Sequence, residues 1–286
     1  MLRKGVVLFS GRETEAPVLQ FAAVVARGLN LSLACRYVAD VMGLLDDNQR
    51  AEYRALLEVH GFEVAQTFLA AKYRAQLERN AARAEVDFQN SPAAQEIRWG
   101  GALDLLEDTD KHLALQAYTS DLVLLSPQLS PPLLDRAVQQ TLLHAGAPLG
   151  LISHAPLATE LPEATVVCAW KPTAEARRAV LAAVPLLHRA RKVHLLALEE
   201  ETSSPGQPGA QAFADFLRDA HEVPCSPLVL RAADDAPRQL AEFYRDVKAD
   251  LLVMGAWSHS RLRETLFGGF THYFLKTRRC NVLFAH

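Results

Sequence analysis

The chain has 286 residues, half of them hydrophobic and 22% charged, with a formal net charge of −3. That composition excludes a disordered chain and leaves too little positive excess for a general nucleic-acid binder. The length suits two domains of about 140 residues, and a chain of this size buries roughly three quarters of its surface on folding.

An apolar run at 5–9 is too short for a signal-peptide core. No stretch of eighteen apolar residues occurs, so no membrane span is expected and the predicted location is the cytoplasm. A strand is predicted at 5–10 and a helix at 15–28, which Gly28 ends. A second strand follows at 31–38. Residues 44–89 are charged and helical, with a break near Gly61. Leu57, Val64, Phe68, Ala71 and Leu77 form the expected buried stripe of that helix pair. The pair reads as a crossover with a solvated face, or as a lid or partner surface. A weak strand at 96–99 precedes a strong one at 121–126. Leu134, Ala137, Val138, Thr141 and Leu142 give one apolar face to a helix at 132–145, and 148–153 is the next strand. Residues 154–164, with two prolines and no periodicity, read as a linker.

The alternation then restarts. Strands are predicted at 165–170, 192–198, 227–231, 250–255 and 281–285. Helices are predicted at 173–190, 210–221, 236–247 and 267–278, and 199–209 is a polar loop. Four cysteines, Cys35, Cys168, Cys225 and Cys280, lie far apart. Without metal-ligand spacing they predict buried thiols, not a zinc site.

The two runs repeat one another. Ser120-Asp121-Leu122-Val123-Leu124-Leu125-Ser126 matches Ala249-Asp250-Leu251-Leu252-Val253-Met254-Gly255, and the aspartates are 129 residues apart. The stretch ending in His154 matches the stretch ending in His286, at a spacing of 132. A tandem duplication follows, with domains at 1–155 and 164–286. Apolar strands separated by helices predict an α/β fold: two Rossmann-like, doubly wound domains, each with a five-stranded parallel sheet. A pseudo-twofold relates them. The ligand crevice of such a sheet lies at the carboxyl ends of its strands, so Ala169, Trp170, Leu198 and the residues after Met254 line it in the second half.

The chemistry concentrates after Gly255. Gly255 permits a sharp turn and a close backbone approach. Gly268 and Gly269 leave amides bare at the start of a helix, where the dipole favours anions. Ser258 and Thr271 add hydroxyls, Arg261 adds positive charge, and Phe270 sits inside the same turn. Together they read as a phosphate cradle.

This half resembles the universal stress protein family. Nucleotide-binding members carry Gly-x2-Gly-x9-Gly-(Ser/Thr) at this point. Gly255 and Gly268 match the first and third glycines, Ser258 replaces the second, and Gly269 replaces the Ser/Thr. Lys171 stands about where the family places an aspartate. The resemblance implies a regulatory stress-response binding protein, not an enzyme. It implies an adenine nucleotide, ATP with Mg²⁺, held by Gly255, Ser258, Gly268, Gly269 and Thr271, with Leu198 on the base. The family dimerises through its last strand, so a tandem chain pairs the strands near Leu151 and Leu283 internally; further homodimerisation stays open.

The first half departs more. Pro127-Gln128-Leu129-Ser130-Pro131-Pro132 replaces the glycine pair, and prolines lack the amides a phosphate needs. It is not expected to hold ATP in the family's manner. The alternative function is therefore a non-nucleotide scaffold or sensor, which takes a partner protein or a small apolar ligand through this half. No Walker, Gly-x-Gly-x2-Gly or Gly-x-Ser-x-Gly motif occurs, and no metal site or catalytic residue is predicted.

Overall fold

The computed structural model describes residues 2–41, 45–103, 109–199, 209–257 and 269–286. The first half contributes β1 (Lys4–Phe9), β2 (Ser32–Val38), β3 (Arg98–Leu103), β4 (Leu122–Leu125) and β5 (Leu149–Leu151). The second contributes β6 (Thr165–Trp170), β7 (Lys192–Glu199), β8 (Ser226–Arg231), β9 (Leu251–Gly255) and β10 (Val282–Ala285). All ten share one sheet in the order β3-β2-β1-β4-β5-β10-β9-β6-β7-β8. Neighbours within each half are parallel, and β5 meets β10 antiparallel. Each half therefore repeats the same strand order, and an antiparallel seam relates the two like a twofold axis. The chain is two tandem Rossmann-like domains.

Alternate strand residues serve opposite faces. Val7, Cys168 and Val253 point towards one layer, built from α1 (Ala16–Leu29), α3 (Arg74–Gln89), α6 (Ala174–Leu187) and α7 (Ala210–His221). Leu8, Val167 and Leu252 point towards the other. That layer is built from α4 (Thr109–Tyr118), α5 (Pro131–Gln139), α8 (Ala236–Asp246) and α9 (Gly269–Thr277). Both faces are covered, which is why these strands read as continuous apolar runs. Cys35, Cys168 and Cys280 are buried among them and Cys225 is half-buried; burial pushes all four thiols up.

The helical region after β2 differs from its sequence pattern. It forms α2 (Asp47–Lys72) and α3, and Gly61 leaves helical geometry inside α2 with φ of 79°. The kink changes the phase of the second segment. Val64 and Phe68 are 54% and 59% exposed, and Ala71 is exposed too. Phe62, Ala65 and Leu69 turn inward instead, and Leu77 is buried as expected. Ala65, Leu69 and Leu77 join Val41, Leu45 and Tyr53 in a small third core. The weak strand at 96–99 is displaced to β3, whose Gly100 and Gly101 hide it from a propensity reading. The helix α4 carries no clear apolar period and was not foreseen.

The repeated aspartates share one structural task. Asp121 Oδ2 accepts the amides of Arg3 and Lys4, at 2.8 and 3.0 Å. Asp250 Oδ2 accepts that of Thr165 at 2.9 Å, and Oδ1 accepts that of Ala158 at 2.8 Å. Each carboxylate pins the entry of its half's first strand. Asp250 also ties down the linker.

The seam pairs Leu151 with Val282, Gly150 with Leu283 and Leu149 with Phe284. Buried Asn281 extends it. Its Oδ1 accepts the amides of Ser153 and His154, at 2.9 and 3.1 Å, and its Nδ2 donates to Asp250 O at 3.1 Å. His154 Nε2 lies 3.1 Å from the hydroxyl of Tyr244. Burial holds the His154 imidazole below its ordinary 6.5, partly offset by Asp250. Asn281→Ala orphans several buried groups and is expected to lower stability by about 3 kcal/mol, read from the denaturant midpoint. The His154 contribution is present above the unfolded value of 6.5 and is lost as pH falls below it, because the unfolded chain binds the proton more readily. His154→Gln should flatten that part of the acid limb in thermal scans taken from pH 8 to pH 5.

Candidate functional site

In the second half the strand order reverses between β6 and β9. Ligands of open α/β sheets bind at the carboxyl ends of strands beside such a reversal. Gly255 stands there, and its first partner is the protein itself. A Cβ on Gly255 would lie 2.6 Å from Ala176 N and 2.7 Å from Glu175 C. The missing side chain lets the first turn of α6 lie against the end of β9. Thr173 caps that turn, its Oγ1 accepting the amide of Ala176 at 3.3 Å.

After β9 the chain turns at Trp257, which has φ of 50°. The Trp257 amide donates to Thr271 Oγ1 at 3.4 Å, which brings the first turn of α9 beside the strand end. Thr271 is buried, and Gly269 opens α9 with nothing among the described residues within 4 Å of where its Cβ would stand. A helix start presents bare amides and the positive end of the dipole, which suit an anion. Phe270 is half-buried against the α8–α9 layer. His286 closes the same corner. Its Nδ1 lies 3.0 Å from Ala256 O, and its ring packs edge-on to Trp257.

The remaining predicted residues divide between the two faces of the sheet. Ala169 and Leu198 are half-buried on the α8–α9 face. Trp170 turns to the other face and stacks on Phe213 of α7, with centroids 3.7 Å apart and planes 9° from parallel. Its indole Nε1 is buried and finds no hydrogen-bond partner among the described residues. Lys171 is exposed. Ser258, Arg261 and Gly268 lie outside the described residues. The structure thus brings Gly255, Gly269 and Thr271 to one corner.

Glu175 was missed. It is a buried carboxylate in the first turn of α6, beside Gly255, with Arg178 at 3.6 Å. In sequence it reads only as a first-turn acid that complements the helix dipole.

The first half has the same reversal, between β1 and β4. Here two carboxylates occupy the turn amides. Buried Glu15 accepts from Ser10 N at 3.0 and 2.9 Å and from Arg12 N at 2.7 Å. Asp40 Oδ2 accepts the amide of Ser130, just before α5, at 2.8 Å. Helix α3 closes the turn from above. Gly11 has φ of 76°, and a Cβ there would meet Ala84 at 2.7 Å. The chain's own acids thus fill positions that a ligand's phosphate takes in other open sheets.

Comparison with known proteins agrees with this geometry. Residues 163–286 match the model of the universal stress protein family. The chain is similar in fold to a universal stress protein from Archaeoglobus fulgidus DSM 4304, at a TM-score of 0.63 and 11% identity. That match covers 99% of this chain and 97% of that one. It is also similar to a functionally unknown protein from Pseudomonas aeruginosa PAO1, at 0.57 and 14%, covering 99% and 92%. At these identities the likeness is one of fold. Among curated proteins, none matches the chain.

The packing at Gly255 gives a direct test. Gly255→Ala drives a methyl group into the α6 backbone and is expected to cost roughly 3 kcal/mol. A thermal scan without ligand should show the loss; an unchanged melting temperature would refute the packing role.

Proposed function

We propose, from the match of residues 163–286 to the model of the universal stress protein family, that the chain is a stress-response regulator whose second half binds an adenine nucleotide. Its domains are 1–155 and 164–286, and the second carries the site. ATP, with Mg²⁺, is the nucleotide the partly kept glycine motif favours. Gly255, Ser258, Gly268, Gly269 and Thr271 surround the phosphates, and Arg261 supplies charge. Leu198 and Ala169 face the base from the sheet, with Phe270 as a wall; Trp170 lies on the opposite face, stacked on Phe213, and takes no part. The role is binding and not catalysis.

One contrast carries this reading. In the first half the turn amides are taken by Glu15 and Asp40. In the second half a hydroxyl stands at the matching corner, and none of the described residues comes within 4 Å of where a Gly269 Cβ would stand. A hydroxyl both donates and accepts, so it serves phosphate oxygens and their waters alike. An ionised carboxylate has no proton to give a phosphate oxygen and repels its negative charge.

A second reading, a scaffold that takes a partner protein through the first half, is favoured by the exposed Val64 and Phe68 on α2. It predicts that Val64→Asp/Phe68→Asp removes a partner and leaves nucleotide binding intact.

Isothermal titration with ATP and Mg²⁺ should give heat at sub-millimolar nucleotide; none at millimolar concentration would end the nucleotide reading. Gly269→Val meets no neighbour among the described residues, so the fold should survive. The branched side chain shields the helix start, and affinity should fall at least about tenfold.

A further inference from the structure

The outer strands of the first half carry an arginine that their packing does not explain. Side chains alternate along β2. Leu33, Cys35 and Tyr37 join the core on the α1 side. Ser32, Ala34 and Arg36 take the other face, where Val38 is part of the core. In register with Arg36 on β1 is Leu8, which is 1% exposed. Arg36 is half-buried there. Its Nε is buried without a hydrogen-bond partner, and no carboxylate pairs with its guanidinium among the described residues. A guanidinium keeps its charge, and a buried charged donor without an acceptor is costly.

Strand β3 is shaped around this side chain. A Cβ on Gly100 would lie 3.1 Å from Arg36 Nε and 3.2 Å from its Cδ. One on Gly101 would lie 4.0 Å from Nη1. Gly101 has φ of 87°, and the register with β2 shifts between Cys35 and Tyr37. Such a bulge re-aims a side chain. Two glycines in a row thus let Arg36 lie across the last strand of the sheet, away from the reversal between β1 and β4.

The register brings a second arginine to the same face. Arg98 is the partner of Ala34, so it rises one two-residue step before Arg36, about 7 Å back along the strands. Arg98 is exposed, and so is Ser32 on the same face. Strands β1, β2 and β3 contain no acidic residue.

We propose that Arg36, Arg98 and Ser32 form a binding site for a small dicarboxylic acid on this face of the first half. The planar fork of Arg36 takes one carboxylate in two parallel hydrogen bonds, and Nε gains the acceptor it lacks. Arg98 takes the second carboxylate, and the Ser32 hydroxyl donates to it. A phosphate concentrates its charge at one centre and would serve one arginine. A docked protein would want an apolar centre to its interface. Among the described residues, none of the large exposed hydrophobic side chains lies on these three strands. The site is separate from the nucleotide site proposed for the second half.

Amide hydrogen exchange of the full chain over a range of succinate concentrations tests the proposal. Millimolar succinate should slow exchange across 98–103 in the wild type, and acetate or inorganic phosphate should do so far less. Arg98→Ala changes an exposed side chain and should weaken the effect severalfold. Arg36→Lys keeps the charge but not the fork, and should weaken it about tenfold. Arg36→Met should abolish it. Without succinate, Arg36→Met should melt no lower than the wild type, because the apolar replacement removes an unsatisfied buried donor. A clearly lower melting temperature, or a failure to fold, would make Arg36 a structural residue and overturn the proposal. No protection at 98–103 would overturn it too, as would a succinate effect that both Arg36→Lys and Arg98→Ala leave unchanged. Equal protection by acetate or phosphate would overturn the dicarboxylate assignment.

Discussion

The antiparallel pairing of β5 with β10 is the contact on which the rest of the molecule depends. Left apart, each half would expose a buried-type apolar strand edge, a template for aggregation. Joined, both edges vanish and two five-stranded sheets become one of ten. Backbone pairing alone spans three residues a side. Asn281 lengthens the seam by taking the next two amides, those of Ser153 and His154. A buried side-chain amide in that place is specific, because any apolar replacement leaves the amides unpaired.

The direction of that seam also decides what borders each crevice. Because the halves run antiparallel, the carboxyl ends of one set of strands lie beside the amino ends of the other. Arg278, just after α9 and before β10, therefore sits on the Pro127 carbonyl at the carboxyl end of β4. Burial pushes the carboxyl of Asp135 on α5 up, and His272 and Arg278 of the second half oppose that push. The linker obeys the same geometry. Residues 154–164 lack periodicity, yet Ala158 is bonded to Asp250 and Leu161 packs into the core against α1. Charged and polar groups from each half thus form part of the other's surroundings.

The fold was legible where the signal is local. Fully covered strands such as Val6–Phe9 must be apolar throughout, and the Asp121 and Asp250 repeats mark strand entries in both halves. The helical region was less legible, because one non-helical residue, Gly61, shifts the phase of everything after it. That shift puts Val64 and Phe68 in solvent. Of the candidate site, the corner of Gly255, Gly269 and Thr271 could be read. The reason for Gly255 could not: it admits the α6 backbone, and only the folded chain shows which neighbour comes close. Glu15 and Glu175 carry no distinguishing pattern. Asp40 and Ser130 are joined by folding alone.

A tandem chain escapes a constraint that binds a symmetric dimer. In a homodimer both crevices carry identical residues, so any change that fills one fills both. Here the halves are covalently joined, and the seam needs only complementary edges, not identical crevices. The first half was therefore free to answer its own turn amides with Glu15 and Asp40, and to bury them under α2 and α3. Those carboxylates satisfy donors that would otherwise be stranded beneath that cover. The second half has Gly269 and the Thr271 hydroxyl at the matching corner. One copy supplies its own anions at this corner; the other sets a hydroxyl there.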